Sequence, residues 1–98
     1  MKRTEPQSIG DVCRQALEES DMVVHLLERR ACEFWQALVG PALAARATRP
    51  TVVRGVMRIG VADAALRHEL TMHRSNMLRL INERFGRAVI SEIRFTAP

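Results

Sequence analysis

Catalysis or metal binding in a chain of 98 residues would require its histidines, cysteines and carboxylates to fall close together. His25, His68 and His73 are dispersed, and the five-residue gap between the last two does not stack them on one helical face. No group of His, Cys and acidic residues has metal-ligand spacing, so no metal is expected. Gly55 and Gly60 lack both the following Lys-Ser/Thr of a phosphate loop and the third glycine of a dinucleotide fingerprint. Nothing around Cys13 or Cys32 marks an exposed, electropositive thiol. Both sit beside apolar positions and read as buried thiols in a reducing compartment, not as a disulfide. No catalytic residue, cofactor or small-molecule substrate is expected. The chemistry left is recognition.

Arginine is the residue type suited to it. The chain carries 15 basic and 11 acidic residues, a net charge of +4, and every basic residue except Lys2 is arginine. Its planar fork matches phosphate or carboxylate oxygens in pairs. Placement says more than number. Residues 1–45 carry five basic groups and seven acids, whereas residues 46–98 carry ten arginines and only Asp63, Glu69, Glu83 and Glu92. The second half therefore predicts an electrostatic footprint for nucleic acid or an acidic partner. The alternative is a solvated face on which the arginines are offset by those four acids. Aromatic residues are too few for base stacking, so contact with the backbone of DNA or RNA is expected, not sequence reading. Trp35, flanked by Phe34, Leu38 and Val39, reads as core.

These side chains need elements to hold them. Residues 1–7 are polar, contain Pro6 and predict a flexible tail; residues 8–95 predict a single domain. Ser8 is a candidate N-cap, with Asp11 three residues on, for a first helix over about 9–19. Asp21 is a second candidate cap, before the apolar face Val23, Val24, Leu27, Ala31, Phe34, Trp35 and Leu38. A break near Glu28–Arg30 is expected. Gly40-Pro41 stops the helix, and Pro41 can open a short turn over Ala42–Ala47.

The period then changes. Thr51–Val53, a turn at Arg54-Gly55, and Val56–Val61 predict a β-hairpin with Met57, Ile59 and Val61 inward and Arg58 outward. Asp63 caps a helical stretch over 64–85. Its rhythm falters at Met72-His73-Arg74-Ser75, which predicts a bend or two helices. Val89–Phe95 predicts a last strand. The longest apolar run, Met22–Leu27, is far short of the roughly 20 residues of a membrane span. The N-terminus lacks a signal-peptide core. The expected location is the cytoplasm, with no membrane partner.

The chain resembles a bacterial family of unknown-function origin whose best-known members are the DciA-type operators, or loaders, of the replicative helicase. The likeness lies in Ser8-Ile9-Gly10-Asp11-Val12, Arg30-Ala31-Cys32-Glu33-Phe34-Trp35, Val39-Gly40-Pro41-Ala42, Gly55-Val56-Met57-Arg58-Ile59, Leu66-Arg67-His68-Glu69-Leu70, Leu80-Ile81-Asn82-Glu83, and Phe85-Gly86 before Val89-Ile90. It extends over about residues 8–95 and is closest to the compact members, which lack a long disordered tail. The resemblance implies an α+β fold: N-terminal helices followed by a β-β-α-α-β K-homology-like (type II) unit with a three-stranded sheet. It also implies two partners, a DnaB-type replicative helicase and DNA. K-homology domains grip single strands through a Gly-x-x-Gly loop between paired helices. Here that junction is Met72-His73-Arg74-Ser75, without glycine, which favours contact through charge. The candidate nucleic-acid-binding residues are Arg54, Arg58, Arg67, His73, Arg74 and Arg87. The acidic N-terminal helices are the side suited to a protein partner. The other reading is an independent RNA- or single-stranded-DNA-binding domain.

Overall fold

Between Asp11 and Val39 the chain contains no glycine or proline. In the computed structural model, which describes the backbone from residue 9 and side chains from residue 20 onward, this stretch is one helix, α1 (Ile9–Val39). The expected tail over 1–7 and the cap at Ser8 lie outside the described residues. The expected boundary at Asp21 and the break near Glu28–Arg30 are not found. An interior aspartate costs only about 0.7 kcal/mol relative to alanine, too little to end a helix whose later turns are packed. Cys13 and Cys32 share this helix, about 28 Å apart along its axis at 1.5 Å per residue, so they cannot form an intrachain disulfide.

Gly40, at φ 89°, ends α1 and hands the chain to the one-turn helix α2 (Pro41–Ala44), shorter than the turn expected over Ala42–Ala47. The predicted hairpin forms as β1 (Thr51–Val53) and β2 (Val56–Gly60). Both turn residues have positive φ, 53° at Arg54 and 80° at Gly55, as a two-residue type I′ hairpin requires. Asp63 caps α3 (Ala64–Met72): its carboxylate accepts from the Ala65 and Leu66 N–H groups and pairs with Arg46 at 2.8 Å. His73 alone separates α3 from α4 (Arg74–Phe85), where the sequence predicts the bend. Gly86, left-handed at φ 69°, closes α4.

The last strand, β3 (Glu92–Thr96), starts later than the alternation of Val89–Phe95 suggests. The cause is Asn82, whose side-chain amide donates to the Ile90 carbonyl and accepts from the Ile90 N–H. Ile90 is thereby tied to α4 instead of a neighbouring strand. The strand order is β1-β2-β3, antiparallel between β1 and β2 and parallel between β2 and β3. The fold is α+β, helices followed by a three-stranded mixed sheet.

One face of the sheet meets the helices. Met57, Ile59, Val61 and Ile93 are buried there with Ala31 and Trp35 of α1, Leu70 of α3, Ile81 of α4, and Ile90. Phe95 packs against Trp35 at a ring separation of 6.1 Å. Trp35 is thus a core residue, and its buried indole N–H has no hydrogen-bond partner.

Candidate nucleic-acid interface

Strand alternation sends every second residue to the sheet's other face, where Arg58 and Arg94 stay exposed and no helix among the described residues packs. β2 sends out Arg58, and β3 sends out Glu92 and Arg94. The parallel register sets Arg58 beside Arg94 and Val56 beside Glu92. Both arginines are exposed. At the far end of this face, Thr48 and Pro98 crowd Gly60 so closely that an added Cβ would lie 2.9 Å from the Thr48 hydroxyl. The open charged surface is therefore at the hairpin end.

Glu92 is the centre of that end. Its carboxylate accepts from Arg94, 2.7 Å from Nε and 3.4 Å from Nη2. This bond holds the Glu92 carboxyl below the usual carboxylate range, with added attraction from Arg94, Arg74 and Arg58. Glu92 in turn raises Arg94. Arg74, the first residue of α4, lines a cleft of about 280 Å³ with Ser75, Leu78, Ser91, Glu92 and Ile93. The hairpin turn is fastened to the same place: the Gly55 carbonyl accepts from the Ser91 N–H at 2.8 Å and the Ser91 hydroxyl at 3.1 Å. Arg54 stands on that turn, exposed. Arg58, Arg74 and Arg94, from β2, α4 and β3, thus gather around one carboxylate, a net positive site with Arg54 on the adjoining turn.

The sequence candidates divide here. Arg58 and Arg74 come together at Glu92, and Arg54 stands on the hairpin turn that Ser91 fastens next to it. His73 adjoins them at the α3–α4 joint, exposed, with its Nε2 4.0 Å from Glu69. Arg67 lies at the other end of β2, where its Nη1 donates to the Val61 carbonyl at 2.6 Å. Arg87, beyond Gly86, lines a small recess with Val24, Leu27, Ala88 and Val89, against α1. Arg94 was not among the candidates. Its alternation with Ile93 and Phe95 marks it as outward, but only the parallel register shows that it neighbours Arg58.

Other groups are quieter. Burial, and secondarily Glu28, pushes the half-buried Cys32 thiol up, the reverse of an activated nucleophile. Among the described residues, no group of three or more His, Cys, Asp or Glu could hold a metal ion. No helix among them is long and apolar enough to cross a membrane.

The family model described as "Dna[CI] antecedent, DciA" matches residues 8–95. No curated protein matches the chain.

Proposed function

The chain belongs to the DciA family, and on that premise we propose that it binds a DnaB-type replicative helicase and helps to place it on DNA, holding the DNA backbone at the arginine cluster. The family's role is in loading the replicative helicase during DNA replication. A loader needs one surface for the helicase and another for the strand that the helicase must encircle.

The observation that carries the DNA half is the gathering of Arg58, Arg74 and Arg94 around Glu92 at one exposed end of the sheet, with Arg54 on the adjoining turn. Guanidinium forks there meet phosphates without reading bases, because the site offers no aromatic ring for stacking. The α3–α4 joint is a single residue, His73, and leaves no loop to wrap a strand. Phosphate contact from Arg74 and the neighbouring sheet takes the place of a backbone grip.

The helicase half is tested by capture on the replicative helicase of the same organism. Retention at micromolar concentration is expected, and it should survive Arg54→Ala/Arg58→Ala/Arg74→Ala. No retention at about 10 µM, where functional protein pairs associate, would overturn the helicase assignment. It would leave an independent nucleic-acid-binding domain.

A further inference from the structure

We propose that the groove between α1 and the C-terminal end of α4 is a docking site for an acidic peptide segment carrying a bulky apolar side chain. At 100° per residue, Leu27, Phe34 and Arg30 lie about 40°, 60° and 100° from the buried Ala31, all to the same side. That flank of α1 faces the end of α4. Phe34 meets Phe85 edge to face there, with ring centroids 6.2 Å apart. The two rings line an open recess of about 420 Å³ together with Arg30, Glu33 and Arg84. The rings are half-buried and the charged residues exposed, so the recess has an apolar floor and a charged rim. Its volume is within the range of about 300–1,000 Å³ that small ligands occupy, and it has room for one bulky side chain. The smaller recess at Arg87 opens between the same two parts of the chain, further toward the start of α1, beside Val24 and Leu27.

Charge decides what fits. Arg30, Arg84 and Arg87 are exposed, and none of the three forms an ion pair among the described residues. Against them, the two recesses are lined by a single carboxylate, Glu33. The cleft on the opposite flank of α1 differs: it sets Arg29 and Arg49 against Glu28 and Glu33, two charges of each sign. Only the α4 flank is net positive. An occupant must bring negative charge to the arginines and apolar bulk to the phenylalanines. Carboxylates on either side of a leucine or phenylalanine do both, since guanidinium forks hold carboxylates in pairs. A nucleic-acid backbone brings the charge without the apolar side chain. The groove is also separate from the arginines around Glu92: Arg74 and Arg84 stand at opposite ends of α4, about 15 Å apart along its axis at 1.5 Å per residue.

The test is fluorescence anisotropy of the full chain with a labelled hexapeptide, Asp-Asp-Leu-Asp-Asp-Phe. Binding with Kd of about 10–100 µM is expected. Arg30→Glu/Arg84→Glu should weaken it by about tenfold or more, the loss of two charge-assisted contacts, with an unchanged melting temperature. Serine in place of the peptide's leucine and phenylalanine should also weaken it. Arg58→Ala/Arg74→Ala/Arg94→Ala should bind the peptide as wild type does, whatever it does to oligonucleotide binding. No binding up to about 1 mM, or binding that the charge reversal leaves unchanged, would overturn the proposal. Equal binding of the serine peptide would overturn it too, because charge alone would then account for the contact. So would an oligonucleotide affinity that falls as far in Arg30→Glu/Arg84→Glu as in the triple variant, because the groove would then be a nucleic-acid surface.

Discussion

The two faces of the small sheet are built from alternate residues of the same three strands and have opposite chemistry. Met57, Ile59 and Ile93 point into the helices and are buried, while Arg58 and Arg94, one residue away in each strand, stand in solvent beside Glu92. The inner face supplies the burial that holds a domain with few fully buried side chains together. The outer face contributes little to stability, since exposed ion pairs are worth about 0–1 kcal/mol. Stability and recognition are therefore separated by a single residue step, and substitutions on the two faces should be separable by experiment.

The largest effect belongs to the inner face. Ile59→Ala should lower unfolding free energy by about 2–5 kcal/mol, from lost burial and the cavity left behind. Chemical denaturation measures it, and the fraction still folded should bind oligonucleotide as wild type does. A loss of binding without a loss of stability would mean that the two faces are not independent. On the outer face, Glu92→Gln removes the carboxylate that occupies the arginine forks. Oligonucleotide affinity should rise by about 3- to 10-fold, an increment of roughly 1 kcal/mol typical of a charge-assisted hydrogen bond, with little change in melting temperature. Unchanged or weaker binding would show that Glu92 does not compete for those forks. The smallest effect is at the turn. Arg54 holds a positive φ that asparagine adopts more easily, so Arg54→Asn should raise stability by about 0.5 kcal/mol while weakening oligonucleotide binding. A thermal melt and a binding titration on the same sample check both signs.

The sequence makes much of this division legible. The alternation in Val56–Val61 marks Arg58 as outward and Met57, Ile59 and Val61 as core, and the faltering rhythm at Met72–Ser75 marks the α3–α4 joint. Other features depend on contacts distant in sequence. The capping potential of Asp21 is a local signal that a continuous, later-packed helix overrides. The late start of β3 depends on Asn82 holding Ile90, eight residues away. The parallel pairing of Arg58 with Arg94, 36 residues apart, is fixed by how β3 returns to the sheet, and no local pattern encodes it. Arg67 and Arg87 are basic in the same way as their neighbours, yet folding takes them to the other end of β2 and against α1.

The central claim is that the arginines around Glu92 contact nucleic-acid phosphates together. Single-stranded oligonucleotide binding measured over a series of salt concentrations tests it most directly, comparing wild type with Arg58→Ala/Arg74→Ala/Arg94→Ala. Each lost phosphate contact reduces the slope of log affinity against log salt by about 0.7 for a single strand. The triple variant should bind more weakly, with a slope shallower by about 2 and an unchanged melting temperature. A triple variant that binds with the wild-type affinity and slope would contradict the claim.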